Sequence, residues 1–140
     1  MKILLAVDGS SYTQKMLAYL TAHTKLFSAH CDYTVLTVHP AVPPRARVAV
    51  DKAALDSYYI DETATVMTPI TAFLESHGIT ATNEWQVGPA GKTIAKFADD
   101  GGFDLLIMGS HGHGALANLV MGSVVTQVLA NSTVPVLLVR

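Results

Sequence analysis

The sequence predicts an α/β fold: a single doubly wound, parallel, five-stranded sheet in the order 3-2-1-4-5, with helices on both faces. Three observations lead there. Short apolar, β-branched runs alternate with longer segments of helical periodicity. Four of the five runs are nearly continuous in apolar character, as strands covered on both faces are. The third alternates polar Thr80, Thr82, Glu84 and Gln86 with Ala81, Trp85 and Val87, which places it near an edge. The order 3-2-1-4-5 follows if the chain reverses direction after that strand.

Each element has a local reason. The strands are Lys2 to Val7, Tyr33 to Val38, Thr80 to Val87, Leu105 to Met108 and Val134 to Val139, all rich in Val, Ile, Leu or Thr. The first helix runs from about Ser11 to Thr24, with Ser10 or Ser11 as N-cap and a buried stripe of Met16, Leu17 and Leu20. The second spans about Lys52 to His77, with Tyr59, Val66, Ile70, Phe73 and Leu74 on one side. Pro69 must kink or restart it, because its ring removes a ladder hydrogen bond. Pro89 suits the first turn of the third, which carries Ile94, Phe97 and Ala98 and ends at Gly101-Gly102. The fourth, from about Ser123 to Asn131, packs through Val124, Val128 and Leu129. Residues 40–50, with Pro40, Pro43 and Pro44, form the only long irregular connection.

The 140 residues make one domain. Half are apolar and 14% are charged, the opposite of the balance that keeps chains disordered. Nine Lys and Arg against eleven Asp and Glu leave a net charge of −2 and no basic cluster, which argues against nucleic acid. The lone Cys31 cannot form an internal disulfide and fits a reducing compartment. The apolar start stops at Asp8, too early for a signal peptide, and no run reaches the length of a membrane helix. The expectation is a cytoplasmic protein.

Two motifs mislead. Gly91-Lys92-Thr93 resembles the end of a P-loop, yet Gln86 stands where that loop needs glycine and Pro89 removes a backbone donor, so an ordinary helix start with a solvated Lys92 is expected. Gly112-His113-Gly114-Ala115-Leu116-Ala117 matches a dinucleotide fingerprint, but no Asp or Glu follows Asp104 to hold a ribose.

The segment from 106 to 126 is more specific. Gly109, Gly112 and Gly122-Ser123 obey G-x2-G-x9-G-[ST]. Gly109 and Gly112 would let the backbone turn tightly and approach a ligand, and Gly122-Ser123 would present free N–H groups at a helix start, which favours an anion. The alternative is a plain glycine loop around the apolar segment Ala115 to Met121. In an open α/β sheet of this order, ligands bind beyond the carboxyl ends of the strands at the switch point, here between Asp8 and Gly109.

With Asp8-Gly9 closing the first strand and Val134-Pro135-Val136-Leu137-Leu138-Val139 closing the chain, the pattern resembles the universal stress protein family, in its ATP-binding subgroup, over the whole chain. The resemblance implies that adenine lies against Ala6, Val7, Asp8 and Val38, with Met108 and Gly109 beside the ribose. It further implies that His111, Gly112, Gly122, Ser123, Val124 and Val125 surround the phosphates, and that Mg²⁺ accompanies them. His111, His113 and Val125 depart from the family, whose loop often carries arginine and a hydroxyl residue at these places. His111-x-His113 could instead begin a transition-metal site, for which further ligands are not evident.

The function expected is an adenine-nucleotide-binding stress-response or signalling module, acting through its nucleotide state and through a homodimer joined at strand 134–139. A slow ATP hydrolase or autophosphorylating enzyme is the alternative, with Asp8, His111 and His113 as the nearby candidate bases. A ligand-free interaction protein is the third reading.

Overall fold

The computed structural model describes residues 1–113 and 120–140. Among the described residues ten elements follow one another: β1 (Lys2–Ala6), α1 (Ser11–Ala22), β2 (Asp32–His39), α2 (Pro44–Arg47), α3 (Lys52–Ser76), β3 (Ala81–Val87), α4 (Ala90–Asp100), β4 (Leu105–Gly109), α5 (Ser123–Asn131) and β5 (Val136–Val139). The five strands form one parallel sheet in the order β3-β2-β1-β4-β5. The predicted class and order are therefore observed. Ala6 pairs with Leu36 on one side and Met108 on the other, so the ends of β1, β2 and β4 come level.

Two apolar cores lie on opposite faces of the sheet. Ile3, Leu5, Tyr33, Val35 and Ile107 face α1 and α3 through Leu17, Leu20, Met67, Ile70 and Leu74. Leu4, Ala6, Leu36, Leu106 and Met108 face α4 and α5 through Ile94, Ala98, Val125 and Val128. The alternation follows from the period of two along a strand, which sends successive side chains to opposite faces.

The structure corrects several expectations. Residues 44–47 form a short helix inside the segment expected to be irregular, with Pro44 at its first turn, where a missing N–H costs nothing. Helix α3 runs on through Pro69, so of the two outcomes expected there the restart does not occur. In α5 the buried residues are Val125 and Val128, while Leu129 is exposed, because Leu129 stands about 100° round the helix from Val128. Strand β3 is exposed on both faces beyond Ala81, and β5 is half-buried on both, as strands on the two edges of a sheet are. Ser10 is the N-cap of α1, yet its buried hydroxyl has no hydrogen-bond partner among the described residues.

Candidate functional site

A cavity of about 350 Å³ opens beyond the carboxyl ends of β1 and β4 and brings together all twelve residues singled out above. Ala6, Val7 and Asp8 come from the end of β1, Val38 from β2, and Met108 and Gly109 from β4. His111 and Gly112 follow β4, Gly122 caps α5, and Ser123 to Val125 form its first turn. Sequence reasoning missed Thr13 of α1 and Ala90 and Ile94 of α4, and it left His113 outside the set. Helical periodicity had assigned Ile94 to the core, and it is both core and cavity wall.

The floor is apolar, and the wall at α5 is polar backbone. Gly122 caps that helix in an extended conformation without a side chain. The Gly122 N–H was expected to be free, but it donates to the carbonyl of Ser110 at 2.8 Å. The amides of Ser123, Val124 and Val125 follow it in the first turn, where the helix supplies no acceptor. They sit at the positive end of the helix dipole.

The glycines are explained by close approach rather than by turning. Gly109, Gly112 and Gly122 are not among the positive-φ glycines, whereas Gly9, at +77°, is. A Cβ on Gly109 would lie 2.6 Å from the Tyr12 Cβ, and one on Gly112 would lie 2.5 Å from Oδ2 of Asp8. The loop after β4 is thus pressed onto the turn between β1 and α1.

Asp8 holds that junction. Its Oδ1 accepts from the Ser10 N–H at 2.9 Å and from the Thr13 hydroxyl at 3.0 Å, and its Oδ2 accepts from the His113 N–H at 3.3 Å. His113 Nε2 lies 2.8 Å from the Asp8 carbonyl oxygen, so this ring nitrogen is the donor. Burial opposes the charge on Asp8, but the Ser10 amide, the Thr13 hydroxyl and His113 outweigh it and hold the carboxyl below its ordinary value. His113 is thus tethered to the end of β1. His111 packs against Tyr12 with ring centroids 5.0 Å apart and planes tilted by 39°, and its Nδ1 lies 2.9 Å from the Ser110 hydroxyl. Lys15 Nζ lies 4.8 Å from the same Tyr12 ring.

Among the described residues no three His, Cys, Asp or Glu come together as a metal site, and Cys31 lies just before β2 at the opposite end of the sheet. No helix among them is long and apolar enough to cross a membrane. Gly91 of the P-loop look-alike is buried where α4 meets α5: a Cβ there would overlap Gln127 and lie 3.0 Å from the Val124 carbonyl. Lys92 is exposed, as expected of an ordinary helix start. The dinucleotide look-alike and the apolar segment Ala115 to Met121 fall largely on residues 114–119, outside the described residues.

The profile of the Universal stress protein family matches residues 1–140. The universal stress protein Slr1230 of Synechocystis is 34% identical over 139 residues, which cover 99% of this chain and 42% of that protein. This chain therefore spans less than half the length of that relative. The solved structure of MJ0577, from Methanocaldococcus jannaschii, superposes with a TM-score of 0.80 at 30% identity, covering 99% of this chain and 94% of that one. The universal stress protein from Archaeoglobus fulgidus, solved in complex with dAMP, shares the fold at a TM-score of 0.66 and 20% identity, over 100% of this chain and 98% of that one. A family match from end to end, with the same architecture in solved relatives, makes this chain a member of the universal stress protein family.

Proposed function

We propose that this chain is an adenine-nucleotide-binding stress-response or signalling module that takes ATP with Mg²⁺ and acts through its nucleotide state and through dimerisation. One observation carries the reading: an apolar floor at the carboxyl ends of β1 and β4 runs directly into the amides of the first turn of α5, to which the helix itself supplies no acceptor. That floor suits a purine, and that helix end suits phosphate. The dAMP complex of the Archaeoglobus relative supports the choice of an adenine nucleotide.

In this reading adenine packs on Ala6, Val7 and Val38 and reaches Asp8, whose carboxylate can accept one more hydrogen bond beyond the three it makes. Met108 and Gly109 flank the ribose. The amides of Ser123, Val124 and Val125 and the Ser123 hydroxyl hold phosphate, with Gly112 and His111 beside it. No Lys or Arg is among the described residues that line the cavity, so Mg²⁺ carried by the phosphates would supply the positive charge, keeping most of its water. With Asp8 held in its ionised form by its neighbours, and so weakened as a base, we expect turnover to be slow or absent. The lone Cys31 favours a reducing, cytoplasmic setting.

Dimerisation would use β5. Among the described residues no strand pairs with its outer edge, and both of its faces are half-buried, with Leu137 and Val139 toward one core and Val136 and Leu138 toward the other.

Titration calorimetry with ATP and Mg²⁺ tests the site. Gly122→Val would press a side chain on the Ser110 carbonyl, 3.2 Å from the new Cβ, and on His111, and crowd the first turn of α5. Binding by the parent and a loss of tenfold or more in the folded variant are expected. Equal affinity in the two, or no binding by the parent, would remove the assigned cradle.

A further inference from the structure

A second cleft lies on the other face of the sheet, between α1 and α3, with a volume of about 420 Å³. Leu17, Val66, Ile70 and Phe73 form its apolar walls, and Gln14 and Thr65 stand exposed at its mouth. None of the described residues lining it carries an ionisable side chain. A volume of this size falls within the range of small-molecule sites, and the lining gives a charged ligand no counterion.

Pro69 gives the cleft a specific polar feature. It lies inside α3 and also lines the cleft, as does Thr65 four residues earlier. A helix carbonyl points toward the residue four positions on and normally receives its N–H, which proline lacks. The Thr65 carbonyl is therefore deprived of its helical donor between two residues of the cleft wall. Its hydroxyl does not compensate, since it donates to the Asp61 carbonyl one turn back, at 3.0 Å. Apolar walls beside an acceptor that lacks its helical donor suit an apolar molecule with one donor.

We propose that the cleft between α1 and α3 binds a small, uncharged, largely apolar molecule carrying one hydrogen-bond donor, such as an aromatic alcohol, which donates to the Thr65 carbonyl. Thr13 lines both this cleft and the cavity beyond β1, so such a molecule would sit back to back with the proposed nucleotide site. The proposal does not depend on nucleotide binding.

The test is titration of the whole chain, free of nucleotide, with 2-naphthol, naphthalene and 2-naphthalenesulfonate, followed by amide chemical shifts. Saturable shifts at Gln14, Leu17, Val66 and Phe73 are expected, with 2-naphthol binding at least fivefold tighter than naphthalene and tenfold tighter than the sulfonate. Pro69→Ala supplies the missing N–H and favours the helix, so it should fold and erase the preference for 2-naphthol over naphthalene. Val66→Phe should fill the cleft and weaken both. Shifts scattered over the surface, equal binding of the sulfonate, or a hydroxyl preference that survives Pro69→Ala would each overturn the proposal.

Discussion

Replacing Asp8 by Asn tests the junction on which the candidate site depends. The shape of the side chain is kept, and its charge is removed. The Ser10 amide and the Thr13 hydroxyl donate to Oδ1 at 2.9 and 3.0 Å, and the His113 amide to Oδ2 at 3.3 Å. A hydrogen bond to a charged acceptor contributes roughly 1 kcal/mol more than one to a neutral acceptor. Two well-formed bonds and a third long one therefore give about 2–3 kcal/mol, which the half-exposure of Asp8 reduces to about 1–2 kcal/mol. The asparagine amide also sets its own N–H₂ against a donor, the His113 N–H, and loosens its hold on the residues that follow β4. Urea unfolding at pH 7 should show a lower midpoint at unchanged slope. The pH dependence has a definite sign. Because the folded carboxyl titrates below its ordinary value, the contribution is complete above the unfolded value of about 3.9 and disappears as pH falls through the lower folded value. Parent and variant should therefore converge in strong acid. A variant as stable as the parent at pH 7, or a gap that persists at the lowest pH, would refute the argument.

Other outcomes follow from the same geometry. Gly91→Val should cost about 1–3 kcal/mol by forcing α4 from α5, read as a lower thermal midpoint, whereas a true P-loop glycine would show its effect on nucleotide affinity alone. Burial depresses the titration of His39, with the charge of Glu62 opposing it. The unfolded chain thus takes up its proton first, at about pH 6.5, and stability should fall as pH drops through that value toward the folded one, less so in His39→Gln. Leu106 and Ser110 donate to the carbonyls of Pro135 and Val139, so the alternation along the strand turns the N–H of Leu138 away from β4. Leu138→Pro should then abolish the proposed dimer in light scattering while sparing the sheet; a monomeric parent, or a dimer unaffected by the proline, would remove β5 from the interface. Purified protein should hydrolyse ATP more slowly than about 1 s⁻¹, and a faster rate would favour an ATPase.

The sequence by itself determined the alternation of the strands with the four longer helices, the order of strands and the end of the sheet at which the cavity opens. These depend on periodicity, on turn residues and on the handedness of parallel crossovers, all of which act locally or as general rules. It also brought together twelve cavity residues, through glycine spacing and a family resemblance, without the contacts that explain them. Those contacts belong to the tertiary structure. Gly112 is glycine because Asp8 lies against it, and His113 faces Asp8 although 105 positions separate them in the chain. Gly91 looks like a phosphate-binding residue until α5 is seen packed on it. The exposure of Leu129 and the cleft beside Pro69 likewise depend on which helix lies opposite, and at what phase. A pattern along one element reports which face is apolar. What meets that face is decided by segments brought together only when the sheet closes, and no local signal carries their distances.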